Sequence, residues 1–142
     1  MATMRLEIIT AERIVYSEDV STVAAPGIDG ELAILPHHAP LLTGLQSGEL
    51  RVVKDGEESF IAVSSGFLEV LGNKVVVLAD TAEHAEEIDL ERAQEAMKRA
   101  EERLQNSEAD MDLEKAMTSL HRSQARVKVA YRRRRPSGAG TQ

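Results

Sequence analysis

Residues 81–93 have the sequence TAEHAEEIDLERA and separate two parts of the chain that differ in hydrophobic periodicity. Before this stretch, short segments rich in β-branched residues alternate between apolar and polar positions, as strands do. After it, apolar residues recur every three or four positions, as on one face of a helix. The sequence therefore predicts an α+β protein with a β domain at residues 1–84, a helical hairpin at 85–135 and a flexible tail at 136–142.

The N-terminal part contains turn dipeptides at the spacing of an antiparallel β domain. Asp29-Gly30, Asp55-Gly56 and Gly72-Asn73 each lie between apolar segments, and such pairs accept the positive φ angles of tight turns. With the segments LRVV, FIAVSS, FLEVL and VVVLA, these turns predict an antiparallel sandwich or barrel. The expected strands lie at residues 4–9, 13–16 and 18–25, and the expected hairpins at 50–63 and 66–79.

The block at residues 26–48, PGIDGELAILPHHAPLLTGLQSG, does not alternate cleanly and is rich in Gly, Pro and His, so we expect a shaped loop system. Pro36 and Pro40 restrict the backbone around His37 and His38. These histidines are either ordinary turn residues or part of a docking surface, and the residues alone leave both interpretations open. A metal site is not expected, because the adjacent histidines have no carboxylate at ligand spacing.

The first helix is predicted from its start signal and its apolar stripe. Asp89 occupies the position expected of an N-cap, and Glu86, Glu87 and Glu91 place negative charge near the positive end of the helix dipole. The stripe is amphipathic, with polar residues on both sides. It consists of Leu90, Ala93, Met97, Ala100 and Leu104.

A polar linker at residues 105–112 and a second amphipathic helix are expected to follow, with Asp110 or Asp112 as the cap of the second helix. The two helices then form a hairpin. Because both stripes contain mainly Ala, Met and isolated Leu, little apolar area is buried per turn, and the hairpin should be able to open. The second stripe consists of Leu113, Ala116, Met117, Leu120 and Val127.

Composition excludes several classes of function. The 142 residues include no cysteine, which removes disulfides, thiolate catalysis and cysteine-based zinc sites and fits a reducing compartment. No segment resembles a signal peptide or the roughly 20 apolar residues of a membrane span, so we expect the chain to stay in the cytosol. The motifs of nucleophilic hydrolases, phosphate-binding loops, dinucleotide folds and zinc proteases are absent, so catalysis by this chain is not expected.

Charge is distributed unevenly along the chain. Residues 1–84 carry 5 Lys or Arg against 13 Asp or Glu, residues 85–112 carry 4 against 10, and residues 113–142 carry 8 against 1. The basic end either packs against the acidic part or meets a negatively charged partner. The four arginines at 132–135 are the usual footprint of phosphate-backbone binding, but a pI near 5.1 and 3% aromatic content argue against a nucleic-acid partner.

The arginines of the helical part have two interpretations that the residues leave open. Arg92, Arg99 and Arg103 share one side of the first helix, and Arg122 and Arg126 lie four apart on the second. They either form solvated faces, whose ion pairs contribute a few tenths of a kcal/mol each, or converge on the phosphates of a triphosphate. In the second case a carboxylate at the start of the first helix could accept a hydrogen bond from an amino group of the base.

The segment PGIDGELAILPHHAPLLT at residues 26–43, the strand-rich front and the two-helix end together resemble the epsilon subunit of bacterial F-type ATP synthase. The resemblance extends over residues 3 to about 132. It implies a non-catalytic subunit with a ten-stranded β-sandwich and a C-terminal α-helical hairpin, mounted on the central stalk at the cytoplasmic face of the membrane and held there only through the complex. The sandwich would contact the gamma subunit and the c ring, with docking expected at Pro36, His37, His38, Ala39 and Pro40.

The hexapeptide IDLERA at residues 88–93 is similar to the I/L-D-x-x-R-A motif with which some epsilon subunits bind ATP. The resemblance implies that Arg99, Arg122 and Arg126 hold phosphates and that Glu83 contacts the base or the ribose. The complete set of ATP-binding residues implied in this way is Glu83, Ile88, Asp89, Arg92, Ala93, Arg99, Arg122 and Arg126.

Together these expectations describe a switch. ATP between the helices clamps the hairpin, and loss of ATP lets the second helix extend along gamma toward the alpha and beta subunits, where it restrains ATP hydrolysis. The alternative is a structural coupler between gamma and the c ring that does not sense nucleotide. In the switch, the residues expected to contact beta are Arg122, Arg126, Lys128, Arg132 and Arg133.

Overall fold

The structure, a computed structural model, describes residues 2–106 and 110–132, without the side chains of residues 110–112. The expected flexible tail at 136–142 and Arg133 of the expected contact with beta lie outside the described residues. The predicted architecture is confirmed, because ten strands form a sandwich that precedes two helices.

The sandwich is one continuous sheet that curves back on itself. The strands are β1 Met4–Ile9, β2 Ile14–Val20, β3 Thr22–Gly27, β4 Gly30–Ile34, β5 Leu41–Leu45, β6 Gly48–Lys54, β7 Glu57–Val63, β8 Gly66–Leu71, β9 Lys74–Ala79 and β10 Ala82–His84. They are hydrogen-bonded in the order β10-β7-β6-β3-β5-β8-β9-β1-β2, with β4 on β3. All pairs are antiparallel except β1 with β9, which is parallel.

The last strand of this order, β2, also passes β6, which lies near the other end of the order. The backbone N–H of Ser21 donates to the carbonyl of Val53 at 2.8 Å, and the ammonium of Lys54 donates to the carboxylate of Glu18. The hydrogen bond with Lys54 holds the pKa of Glu18 below its usual value. These contacts close the sandwich, because they join its first strands to a strand of the opposite layer.

Strand alternation places the core between the two layers. Leu6, Leu68, Val75 and Val77 have no exposed side-chain area, whereas their neighbour Glu69 is exposed. Burial of each such side chain contributes about 1.5–3 kcal/mol, so the alternating segments define both the strands and their inner faces. The predicted hairpins at 50–63 and 66–79 are confirmed by the pairing of β6 with β7 and of β8 with β9.

The prediction of a loop system at residues 26–48 was wrong in part. This block contains the end of β3, all of β4 and all of β5. Its alternation was obscured because Leu42 points outward and is 70% exposed, although Leu45 on the same strand is buried. Pro36 and Pro40 fall in the connection between β4 and β5, where no strand hydrogen bond is required, whereas Pro26 lies near the end of β3.

A short 3-10 helix, Ala85–Glu87, leads into α1, Leu90–Gln105, and α2 spans Asp110–Arg132. The predicted cap is confirmed, because the carboxylate of Asp89 accepts from the backbone N–H of Arg92 at 3.2 Å. The linker predicted at 105–112 is shorter than expected: α1 includes Gln105, and Asp110 and Asp112 belong to α2 instead of capping it.

The apolar stripe predicted for α2 was wrong in part, although Ala116 is buried as expected. Leu113 and Met117 are each 42% exposed, and Leu120 and Val127 are half-buried. The reason is that α2 is covered on two sides, by α1 and by the outer face of β6 and β7, so that small side chains are selected for close approach. The buried residues of α2 are Ala116, Ser123, Ala125, Val129 and Ala130.

Candidate functional site

The helical hairpin presents a groove lined by arginines from both helices. One cavity of about 460 Å³ extends from the start of α1 to the side of α2, and an adjacent cavity of about 310 Å³ continues between the helices. Ala96, Arg99 and Arg126 belong to the walls of both. The two cavities therefore form one elongated groove of a size that suits a nucleotide.

The two ends of the groove differ in charge. The first cavity contains the carboxylates of Glu87, Asp89 and Glu95 beside Arg92. The second contains Arg103 and Arg122 in addition to the shared arginines, together with two serines and no acidic residue. A ligand with hydrogen-bond donors at one end and several phosphate oxygens at the other would satisfy both ends, because guanidinium groups make paired hydrogen bonds to phosphate.

Helix geometry explains why the arginines converge. Arg92 and Arg99 are two turns apart on α1, so they project from the same side of that helix. Arg126 lies on the face of α2 that turns toward them, because it lines both cavities together with Arg99. The sequence predicted arginines on each helix, and the structure brings both sets into one groove.

Arg126 is held in place by the sandwich. Its Nε donates to Oε2 of Glu83 on β10 at 2.8 Å, and the two side chains are 30% and 35% exposed. Thr81, at the start of this segment, is anchored in turn, because its backbone N–H donates to the hydroxyl of the buried Ser64 at 2.7 Å. Glu83 thus lies beside the groove, and its carboxylate binds Arg126, one of the residues expected to hold the phosphates.

Two other residues of the expected ATP set do not line the groove. Ile88 is 1% exposed and Ala93 is fully buried. They pack with Ala85, Leu90 and Ala130 in a small second core between the hairpin and the sandwich. Their position indicates that they orient Asp89 and Arg92 rather than offer polar atoms to a ligand.

The residues expected to dock on the stalk form an exposed connection between β4 and β5. The backbone N–H of His37 donates to Oδ1 of Asn73 at 2.8 Å, and Nδ2 of Asn73 donates to the carbonyl of Thr3 at 2.9 Å. Asn73 therefore fixes His37 in its left-handed conformation, with φ at 65°. His38 lies beside it, with Nδ1 at 2.7 Å from the carbonyl oxygen of Ala39. Pro36 and Pro40 flank these residues, so the whole connection is available to a partner.

Sequence reasoning missed an apolar row on the outer face of the sheet. Phe67 pairs with Leu78 across β8 and β9, Leu78 pairs with Ile9 on β1, and Ile9 pairs with Ile14 on β2. Three of them are more than half exposed, with values of 58% for Phe67, 51% for Leu78 and 62% for Ile14. The segment FLEVL contained a signal for this row, because Phe67, which points outward, is apolar like the inward-pointing Leu68 beside it.

Besides Arg126, two more of the residues expected to contact beta bind the sandwich in this structure. The guanidinium of Arg132 donates from Nε to Oε2 of Glu49 at 2.8 Å and from Nη2 to Oε1 at 3.0 Å. Nζ of Lys128 lies 4.0 Å from the same carboxylate. The hydrogen bonds that Arg132 donates to Glu49 raise the pKa of Arg132 above its already high usual value.

Family models match both parts of the chain. The β-sandwich domain of the ATP synthase delta/epsilon chain matches residues 3–85, and the long α-helix domain of the same chain matches residues 86–130. The chain belongs to the ATP synthase delta/epsilon family. The resemblance stated from the sequence is therefore confirmed.

Named relatives agree with this family. The ATP synthase epsilon chain of Dehalococcoides mccartyi is 54% identical over 95% of this chain and 97% of its own length. The epsilon chain of Desulforamulus reducens is 51% identical over 90% of this chain and 97% of its own length. These relatives are named as one chain of the ATP synthase complex.

Solved structures share the fold at low identity. A chain in the mitochondrial ATP synthase of Euglena gracilis, determined with its c-ring, superposes with a TM-score of 0.80 at 22% identity and covers 92% of this chain and 82% of its own. A chain of the Tetrahymena thermophila central stalk and c-ring superposes with a TM-score of 0.66 at 14% identity. Neither helix of the described structure is long and apolar enough to cross a membrane.

Proposed function

We propose that the protein is the epsilon subunit of the central stalk of an F-type ATP synthase, and that its hairpin senses ATP and restrains ATP hydrolysis. It would act without catalytic chemistry of its own, as a peripheral component at the cytoplasmic face of the membrane. The observation that carries the sensing part is the groove in which Arg92 and Arg99 of α1 face Arg126 of α2.

The chemistry of the groove supports ATP as its ligand, because the two ends of the groove can bind different chemical groups. Arg99, Arg103, Arg122 and Arg126 offer donors to the phosphate oxygens. Asp89 and Glu87 offer acceptors to an amino group of a base or to ribose hydroxyls. Closely spaced guanidinium groups repel one another, so a polyanion between them relieves a cost that the empty groove carries.

Ligand binding in this groove would stabilise the closed hairpin. The arginines that would donate hydrogen bonds to the phosphates come from both helices, so separation of the helices would destroy the site. A ligand that binds only the closed state stabilises it by RT ln(1 + [L]/Kd), so cellular ATP is effective only if its Kd is comparable to or below its concentration. The helices meet through Ala100, Ala116 and Ser123, which bury little apolar area, so an effect of this size can shift the equilibrium.

When ATP is scarce, α2 would leave the sandwich and extend along gamma. Its basic residues would then meet an acidic surface of beta, an attraction that salt weakens. In the closed hairpin the same side chains are engaged elsewhere, Arg126 with Glu83 and Arg132 with Glu49. The same side chains could therefore not bind the sandwich and beta at once, so the closed hairpin would not inhibit ATP hydrolysis.

The sandwich supplies two surfaces for the stalk. The apolar row around Phe67 and Leu78 is continuous across several strands and more than half exposed, and this supports contact with gamma. The connection at residues 36–40 supports contact with the c ring or gamma, because its backbone is fixed before a partner arrives.

Calorimetric titration of the full chain with ATP tests the sensing proposal. We expect heat of binding for the wild type at about millimolar ATP or below, and affinity at least about tenfold lower for Arg92→Ala and Arg126→Ala, because each removes a charged hydrogen bond. Lys98→Ala is the matched control, since Lys98 is an exposed cation on α1 that does not line the groove. Absence of heat, or equal affinity in all four proteins, would contradict the proposal.

The second candidate function is a structural coupler with a permanently folded hairpin. The two ion pairs that fasten α2 to the sandwich favour it, because they need no ligand. Deletion of residues 85–142 from the assembled complex separates the candidates. Faster ATP hydrolysis would support the inhibitory switch, whereas unchanged hydrolysis would support the coupler.

A further inference from the structure

The contact between the end of α2 and the sandwich lies outside the nucleotide groove. Arg132, the last described residue of α2, binds Glu49 on β6 with both parallel hydrogen bonds of a guanidinium–carboxylate pair. The Cζ atom of Arg132 lies 4.9 Å from the ring centroid of Phe60 on β7. None of these three residues belongs to the walls of the groove.

We propose that Glu49, Phe60 and Arg132 form a latch that holds α2 on the sandwich whether or not a nucleotide is bound. The latch depends on the proposed movement of the hairpin but not on the proposed ATP site. Its role would be to set how readily the hairpin opens once ATP has left.

Burial and geometry make this contact stronger than an ordinary surface ion pair. The side chain of Glu49 is only 11% exposed and that of Arg132 is 33% exposed. Exposed pairs contribute little because water screens them, and a bidentate pair in a partly dry site is screened less. The ring of Phe60 covers one face of the guanidinium, which tolerates an aromatic neighbour better than an ammonium does.

The position of the latch explains why it would control opening. Contacts of α2 with the sandwich are concentrated in its last two turns, where Val129 and Ala130 are fully buried. A cavity of about 600 Å³ lies between the strands and the middle of α2 at Thr118 and His121, and it extends to Lys128 and Glu49 at the edge of the latch. Detachment of α2 therefore requires the latched end to be released.

Loss of Arg132 and loss of the Glu49 charge should both loosen α2, but to different degrees. Removal of Arg132 leaves the mostly buried carboxylate of Glu49 with Lys128, at 4.0 Å, as its remaining ion-pair partner among the described residues. Replacement of Glu49 by Gln leaves a neutral acceptor in the same place. An unpaired buried charge is more costly than a weakened hydrogen bond, so Arg132→Gln should have the larger effect.

Native-state hydrogen exchange of the full chain without nucleotide is the test. For a partly desolvated charged hydrogen bond we expect exchange of the amides at 125–132 to accelerate about five- to tenfold in Glu49→Gln and more in Arg132→Gln. Arg132→Lys keeps the charge but loses the paired geometry. Its exchange rate at 125–132 should therefore lie between those of Glu49→Gln and the wild type. Amides of β8 and β9 should stay within about twofold of the wild type in every variant.

Asp19→Asn is the matched control. Asp19 on β2 also binds an arginine, Arg5 on β1 at 3.4 Å, but both side chains are exposed and neither contributes to the core under α2. Exchange at 125–132 should be unchanged in this variant. The latch is refuted if Glu49→Gln and Arg132→Gln exchange like the wild type, or if β8 and β9 accelerate as much as α2.

The same experiment repeated with ATP distinguishes this inference from the proposed function. If ATP fails to slow exchange in the wild-type hairpin, the sensing proposal fails while the latch result stands. If ATP slows exchange but the latch variants match the wild type without ATP, the latch fails and the sensing proposal stands.

Discussion

Arg126 on α2 and Glu83 on β10 are joined by a hydrogen bond of 2.8 Å, and Arg126 also lines both cavities of the groove. One side chain thus links the hairpin to the sandwich and faces the proposed ligand. This arrangement places the proposed nucleotide groove directly beside the point where the chain passes from strands to helices. A ligand that binds Arg126 would therefore act next to the connection between the sandwich and the hairpin.

Glu83→Gln should separate the two roles of Arg126. The amide keeps an acceptor near Nε and leaves all arginines of the groove intact, so ATP affinity should fall by less than in Arg126→Ala. Calorimetry of both variants measures the difference, with helical content by circular dichroism as the control for folding. Equal losses in the two variants would argue instead that Glu83 contacts the ligand directly.

Asp89→Ala should destabilise the start of α1 by about 1 kcal/mol, because the carboxylate accepts from the backbone N–H of Arg92. Asp89→Asn retains an acceptor at the cap and should lose only a few tenths of a kcal/mol. Urea unfolding followed by circular dichroism measures both. If Asn destabilises as much as Ala, the contribution is electrostatic attraction to the helix dipole and not the cap hydrogen bond.

Gly66→Ala should destabilise the sandwich by several kcal/mol. A Cβ at Gly66 would lie 2.0 Å from the backbone oxygen of Leu78, so β8 and β9 would have to separate locally. Gly44→Ala is the matched control, because its Cβ would lie 3.3 Å from the flexible side chain of Ile28 and should change stability little. Thermal unfolding of the two variants is the measurement. Similar melting temperatures would contradict the predicted close approach.

Tyr16 should make the protein less stable between pH 10 and 12. Burial, and then the nearby carboxylate of Glu18, raise the pKa of Tyr16 from 10.0 to about 12. The unfolded chain therefore loses this proton at lower pH than the folded protein, binds fewer protons in that interval, and the free energy of unfolding decreases as pH rises. The difference in unfolding free energy between wild type and Tyr16→Phe, measured at intervals from pH 9 to about 12, should show this loss. A constant difference across that interval would contradict the shift.

Phe67→Ser and Leu78→Ser should weaken assembly with gamma while leaving the isolated chain folded, because both side chains are more than half exposed. Co-purification with a gamma subunit and the c ring measures assembly, and thermal unfolding measures the fold. Glu69→Ser is the control, since Glu69 lies on the same exposed face of β8. Normal assembly of both apolar variants would exclude this row from the interface.

The secondary structure was predictable where one physical signal dominated. The turns at Asp55-Gly56 and Gly72-Asn73 determined the two hairpins, since both Asp55 and Asn73 have positive φ angles. The start of α1 was predictable because Asp89 is a cap whose partner lies three residues away. Strands β4 and β5 were missed, since their outward apolar residues hide the alternation that marks a half-buried strand.

The buried face of α2 could be derived only in part from its own sequence. An isolated hairpin would bury Leu113 and Met117, but packing of the same helix against β6 and β7 selects Ala125, Val129 and Ala130 instead. Periodicity indicates that a helix has an apolar face, but not how many neighbours share it.

The sequence alone determined the family, the sandwich followed by two helices, and the presence of arginines on both helices, because these depend on local periodicity, turns and short motifs. Only the tertiary structure decided that Arg99, Arg103, Arg122 and Arg126 share one groove and that Arg132 binds Glu49. Glu49 and Arg132 are separated by 83 positions, so their contact exists only where packing of the hairpin on the outer face of the sheet brings opposite charges together and removes water from them.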